Sequence, residues 1–141
     1  MIQFYAARRK NMNDGSVKYY PHVANTQPVS RAEIIRAVEK VTSLSASDVK
    51  SCLDALEYQI IEHLRQGHSV RLGDLGTFRA TIKSEGALNR TDFMAKNIRR
   101  VNVRFLASPN MRHKLSVLNP DMQFMKAGDV YSHLGPVEEE Q

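Results

Sequence analysis

Two helix-start signals, at Ser30 and Ser45, are followed after Gly67 by an abrupt change of hydrophobic period, and that sequence of events leaves few folds open. Ser30-Arg31-Ala32-Glu33 has the form of a capping box, in which serine and glutamate reciprocally satisfy free amides of the first turn. Ile34, Ile35, Val38 and Val41 then recur at helical spacing, which predicts a helix over Ser30 to Val41. Ser45-Ala46-Ser47-Asp48 repeats the signal. Behind it Val49, Leu53, Leu56, Ile60 and Leu64 form a stripe widened by Cys52 and Ile61, and the helix is expected to run to about Gln66. Gly67 fits the residue after its end, where a left-handed conformation is needed. Cys52 is expected to be a small buried hydrophobe on this stripe. So wide an apolar face calls for burial on more than one side, by the chain's own sheet and by a partner subunit.

After Gly67 the period is two. Val70 and Leu72 alternate with Ser69 and Arg71, and Gly73-Asp74-Leu75-Gly76 is a turn in which glycine permits a tight reversal. Phe78, which anchors the next strand, shares a face with Ala80 and Ile82, opposite Arg79, Thr81 and Lys83. Residues 84–96 have no clear period. Val101, Val103 and Phe105 then point inward, and Arg100, Asn102 and Arg104 outward. Ser108-Pro109 opens a short helix with Met111, Leu115 and Leu118 apolar, ended by Asn119-Pro120. Upstream, Asn13-Asp14-Gly15 is a hairpin signal between Ile2–Ala7 and Val17–Val23. The reading is an α+β chain with three parts: an N-terminal β extension (1–29), a central domain (30–118) and a tail (119–141) whose Glu138-Glu139-Glu140 end is expected to be disordered.

The charge is concentrated. Residues 79–104 hold Arg79, Lys83, Arg90, Lys96, Arg99, Arg100 and Arg104 against Glu85 and Asp92, an excess of +5 (7 − 2). The remaining thirteen basic and thirteen acidic residues cancel (20 − 7 and 15 − 2). Such a segment attracts polyanions, and nucleic acid is the commonest of these in a cell. One cysteine in 141 residues excludes an internal disulfide and fits a reducing compartment. Arg8, Arg9 and Lys10 come too early for a signal-peptide apolar region, and no apolar run approaches a bilayer span of about 18–20 residues, so a soluble cytoplasmic chain without a membrane partner is expected.

Two capped helices followed by Val70-Arg71-Leu72-Gly73-Asp74-Leu75-Gly76-Thr77-Phe78 resemble the HU/IHF family of bacterial histone-like DNA-binding proteins, over about residues 30–118. Leu75 stands where that family usually has phenylalanine. With its N-terminal addition, the chain resembles a variant HU-like subgroup of Bacteroides-type bacteria. The resemblance implies an intertwined dimer, two N-terminal helices, a three-stranded antiparallel sheet with a basic hairpin arm, and a short C-terminal helix. It also implies double-stranded DNA as partner, bound with little sequence preference, in the nucleoid. The seven basic residues of 79–104 would be the DNA-binding set, with Gly73, Gly76 and Phe78 as the structural turn. The family's arm carries a tip proline that wedges between base steps, and residues 79–104 have none. Leu88, Phe93 and Met94 are the candidate substitutes, since apolar side chains of this kind do insert there.

Other readings compete with this one. The basic segment alone would equally suit a solvated hairpin whose charges discourage edge pairing. The fold could serve as a protein-interaction or dimerisation module that binds DNA weakly or not at all. A helix-turn-helix over 31–66 is disfavoured, because the second helix is apolar and its only basic residues are Lys50 and Arg65. His22, His63, His68, His113 and His133 show no metal spacing, and no phosphate loop, nucleophile elbow or carboxylate pair is present. No cofactor, no small-molecule substrate and no enzymatic activity are expected.

Overall fold

The structure, a computed structural model, describes residues 1–24 and 27–127. Among these it is a mixed α+β chain with three α-helices and two three-stranded sheets. It divides into two compact units. One is formed from both ends of the described chain, up to Pro28 and from Lys114 onward, and the other is Val29–His113. The Glu138–Glu140 run lies outside the described residues.

In the first unit, β1 (Ile2–Lys10) and β2 (Val17–Val23) form an antiparallel hairpin. Its loop is longer than the Asn-Asp-Gly signal suggests. Asn11 and Ser16 close it by a backbone bond of 2.8 Å, and Gly15 takes the left-handed conformation at φ 71°.

The second unit follows the two capping boxes residue for residue. Helix α1 (Arg31–Val41) starts at Ser30, whose hydroxyl accepts from the Glu33 amide, while the Glu33 carboxylate accepts from the Ser30 amide at 2.8 Å. Helix α2 (Ala46–Arg65) starts likewise at Ser45 with Asp48 as the returning carboxylate. These bonds hold both carboxyls below their ordinary range, the Ser30 amide being the main cause for Glu33 and the Ser45 hydroxyl for Asp48. Arg31 of α1 bridges to Asp54 of α2, which also accepts from Lys50 one turn earlier. Gly67 ends α2 at φ 81°.

Strands β3 (Val70–Leu72), β4 (Gly76–Ser84) and β5 (Ile98–Ala107) form an antiparallel sheet in that order, and α2 packs on β3 and β4. A register irregularity at Lys83/Ser84 marks where the ladder gives way to the tip loop. Helix α3 (Pro109–Lys114) has Pro109 at its first position, and its start is tied to the β3–β4 turn. The Ser108 hydroxyl donates to the Asp74 carbonyl and the Ser108 amide to Leu75.

Two features depart from the sequence reading. Helix α3 stops at Lys114 rather than near Leu118, because the chain turns on itself. The Asn119 side-chain amide takes the Lys114 carbonyl, and the Ser116 hydroxyl accepts from the Leu118 amide. A further strand, β6 (Phe124–Lys126), then pairs in parallel with Ile2–Phe4 of β1 and completes the sheet β2-β1-β6.

Little of this is sealed from water. Ala24 in the first unit and Val49 in the second are the buried apolar side chains among the described residues. On α2, Leu56 and Ile61 are exposed, and so is Cys52, which its own chain therefore does not bury as the stripe suggests. The stripe is real, and part of it has nothing over it within the chain.

Candidate nucleic-acid interface

The β4–β5 ladder sorts the basic segment by face. Register sets Arg79 directly across from Arg104, Thr81 across from Asn102 and Lys83 across from Arg100. Alternation puts these six on one side, so four cations stand as two like-charged cross-strand pairs with small polar residues between. Like charges directly opposite weaken a sheet. None of the four forms an ion pair among the described residues. Their field is therefore left open to a polyanion.

The other side of the ribbon is apolar. Phe78 faces Phe105, Ala80 faces Val103, and Ile82 faces Val101. The Phe78 and Phe105 rings lie 5.0 Å apart at 50°, a tilted contact in the favourable range. Phe78 is half-buried there, whereas Ile82, Val101 and Val103 remain 61, 62 and 60% exposed.

Arg99 stands apart from the other ribbon cations. It lies on the alternate parity from Arg100 and pairs with Glu85, across the mouth of the tip loop. The Glu85 amide donates to the Asn97 carbonyl at 3.2 Å and closes the loop's base. Within the loop, Arg90 and Lys96 lie in two short 3₁₀ turns, Arg90–Asp92 and Ala95–Asn97. Ala87, Leu88, Asn89, Arg90 and Phe93 line a shallow depression of about 440 Å³. Leu88 is fully exposed, and Phe93 and Met94 are about half exposed. The three candidate wedges thus share the tip, and four of the seven candidate cations share the ribbon face.

Gly73 (φ 45°) and Gly76 (φ 152°) both take conformations that side-chain-bearing residues resist, as their place in the turn requires. The Arg99–Glu85 pair is the one element of this site that sequence spacing does not announce, because its partners are brought together only by the ladder. Among the described residues, no group of three histidine, cysteine, aspartate or glutamate side chains is placed to hold a metal ion. No helix there is long and apolar enough to cross a membrane.

A family model described as HU-HIG, an HU domain fused to a wHTH, Ig or glycine-rich motif, matches residues 1–121. The chain belongs to that family. The HU-HIG match begins at residue 1 and so takes in β1 and β2 as well as the capped helices and the ribbon. Among solved structures the chain is similar in fold to a candidate bacterial DNA-binding protein from Bacteroides vulgatus, with a TM-score of 0.62 at 15% identity. That similarity covers 89% of this chain and 47% of the neighbour, so the HU-HIG chain spans less than half the neighbour's length. No curated protein matches the chain.

Proposed function

We propose that this HU-HIG protein is a non-enzymatic, histone-like architectural protein of the cytoplasmic nucleoid that binds duplex DNA as a homodimer with little sequence preference. The observation that carries the reading is the pair of like-charged rungs, Arg79 with Arg104 and Lys83 with Arg100. A ribbon that sets unpaired cations against each other at a cost in its own stability is suited to a partner that neutralises them. The family and the neighbour's description as a candidate DNA-binding protein support the same partner.

The apolar back of the ribbon and the uncovered part of the α2 stripe support the dimer. An apolar surface of that kind is ordinarily covered by another subunit. In this reading Arg90 and Lys96 add phosphate contacts at the tip, and Arg99 joins them when its pair with Glu85 opens. Leu88, Phe93 and Met94 act as wedges in place of the missing proline.

The test is a titration of a labelled random duplex of about 30 base pairs at several salt concentrations. With 5–8 phosphate contacts per dimer, the logarithm of the binding constant falls against that of salt with a slope of about −5 to −7. Replacing Arg79, Arg100 and Arg104 with glutamate abolishes binding. Absence of binding by the unaltered protein at about 50 mM salt sinks the architectural role and leaves the protein-interaction module as the reading.

A further inference from the structure

The neutral remainder of the chain is itself uneven. Residues 1–24 hold Arg8, Arg9, Lys10 and Lys18 against a single acid, Asp14, a local excess of +3 (4 − 1). All five lie at the closed end of the β1–β2 hairpin. Register sets Arg9 directly across from Lys18, the same like-charged device found in the β4–β5 ribbon, and sets Arg8 across from Tyr19. The Arg9 guanidinium lies 6.0 Å from the centroid of the Tyr20 ring, at the outer reach of a cation–π contact.

Asp14 is turned to Ser16 rather than to these cations. Its carboxylate accepts from the Ser16 hydroxyl at 2.7 Å and from the Ser16 amide at 2.9 Å, and these bonds hold it below its ordinary range. Among the described residues none of the four cations forms an ion pair. Tyr19 and Tyr20 are about half exposed on β2, an edge strand. Arg9, Lys10, Asn11, Ser16, Lys18 and Tyr20 line a shallow depression of about 340 Å³.

We infer that this hairpin end is a second nucleic-acid contact, distinct in the chain from the β4–β5 ribbon. Arg9 and Lys18 grip one phosphate between them, and the Tyr20 ring takes the sugar or base beside it. A flat aromatic face next to paired cations matches a strand that repeats phosphate and base, because every base offers a π face. An acidic peptide offers the charge without the ring. The inference rests on nucleic acid being the protein's partner, and its test lets either idea fail alone.

The experiment uses the full chain and two probes, a single-stranded oligonucleotide of about 15 nucleotides and a random duplex of about 30 base pairs, followed by fluorescence anisotropy across a salt series. Arg9→Glu with Lys18→Glu is compared with Arg79→Glu plus Arg100→Glu in the ribbon, and with all four together. Circular dichroism checks the fold. Should charge reversal unfold the hairpin, Arg9→Gln with Lys18→Gln carries the same test.

The hairpin variant is expected to bind about tenfold more weakly, with a salt slope shallower by roughly 1 for each hairpin engaged. The fourfold variant loses whatever binding the ribbon variant retains. Affinity and slope unchanged by the hairpin substitutions in both backgrounds, with the ribbon variant impaired, overturn this inference and leave the ribbon's role standing. Loss in the hairpin variant alone upholds the inference and overturns the ribbon as the principal site. Failure of the unaltered protein to bind either probe overturns both.

Discussion

The ring of Phe105 closes directly over Gly76: a Cβ built on that glycine comes within 2.8 Å of the ring's Cζ and overlaps the Leu106 carbonyl oxygen. The β3–β4 turn and the strand that returns from the tip loop are thereby locked together at the root of the ribbon. Gly76→Ala meets both that overlap and a φ of 152° that alanine resists. It should destabilise the protein by at least about 2 kcal/mol in urea unfolding. Gly86→Ala is the control, since a Cβ there meets nothing within 4 Å, and its midpoint should stay near that of the unaltered protein.

Stability and binding should move in opposite directions at the like-charged rungs. Arg104→Thr relieves the repulsion from Arg79 and should raise the stability of the free protein by about 0.2–1 kcal/mol. The same change should weaken duplex binding and flatten its salt dependence. A thermal melt and a titration on one preparation check both. Loss of stability together with loss of binding would mean that the arginine is there for packing.

The helix starts predict an acid response. Glu33, Asp48 and Asp54 all have folded carboxyls below their ordinary range. The Ser30 amide is the main cause for the first, the Ser45 hydroxyl for the second, and Lys50 followed by Arg31 for the third. Because the folded values are depressed, the stability they contribute is present at neutral pH. It is lost as pH falls through the ordinary carboxylate range and then through those lower folded values. Ser45→Ala should cost about 1 kcal/mol at pH 7, and its difference from the unaltered protein should shrink in melts taken at progressively lower pH.

The uncovered apolar side of the ribbon predicts a concentration-dependent melt. If two copies bury Ile82, Val101 and Val103, a tenfold rise in protein concentration should raise Tm by about 2–5 °C. Val103→Lys should abolish that dependence and shift the protein to monomer in sedimentation. A Tm independent of concentration in the unaltered protein, with a monomer at every concentration, defeats the dimer.

Local chemistry made the second unit legible. The caps at Ser30 and Ser45, the end at Gly67 and the reversal at Gly73 and Gly76 each involve only a few neighbouring residues, and the ladder followed from strict alternation on either side of the tip loop. What escaped is non-local or too short to carry a period. Phe124–Lys126 is three residues long and pairs with the other end of the chain, and the end of α3 depends on Asn119 reaching back to Lys114. Cys52 misled because helical spacing identifies an apolar face without saying whether the same chain covers it. At the candidate site, alternation identified the four ribbon cations, while the engagement of Arg99 by Glu85 arose from the irregular end of the ladder.

The parallel pairing of Phe124–Lys126 with Ile2–Phe4 has a consequence for how the molecule is made. A two-stranded hairpin on its own is marginal in water, and a third strand is what lets such a sheet persist. Here that strand lies beyond Val29–His113 in the chain, so the sheet closes only when residues on both sides of that unit have been made. The unit carrying the ribbon is contiguous in the chain and needs nothing from β6 for its own ladder, whereas β1 takes β6 as a neighbour. A chain cut before residue 124 keeps every strand of the β3-β4-β5 sheet and lacks the third strand of the β2-β1-β6 sheet, so the order of β1 depends on residues made far later than itself.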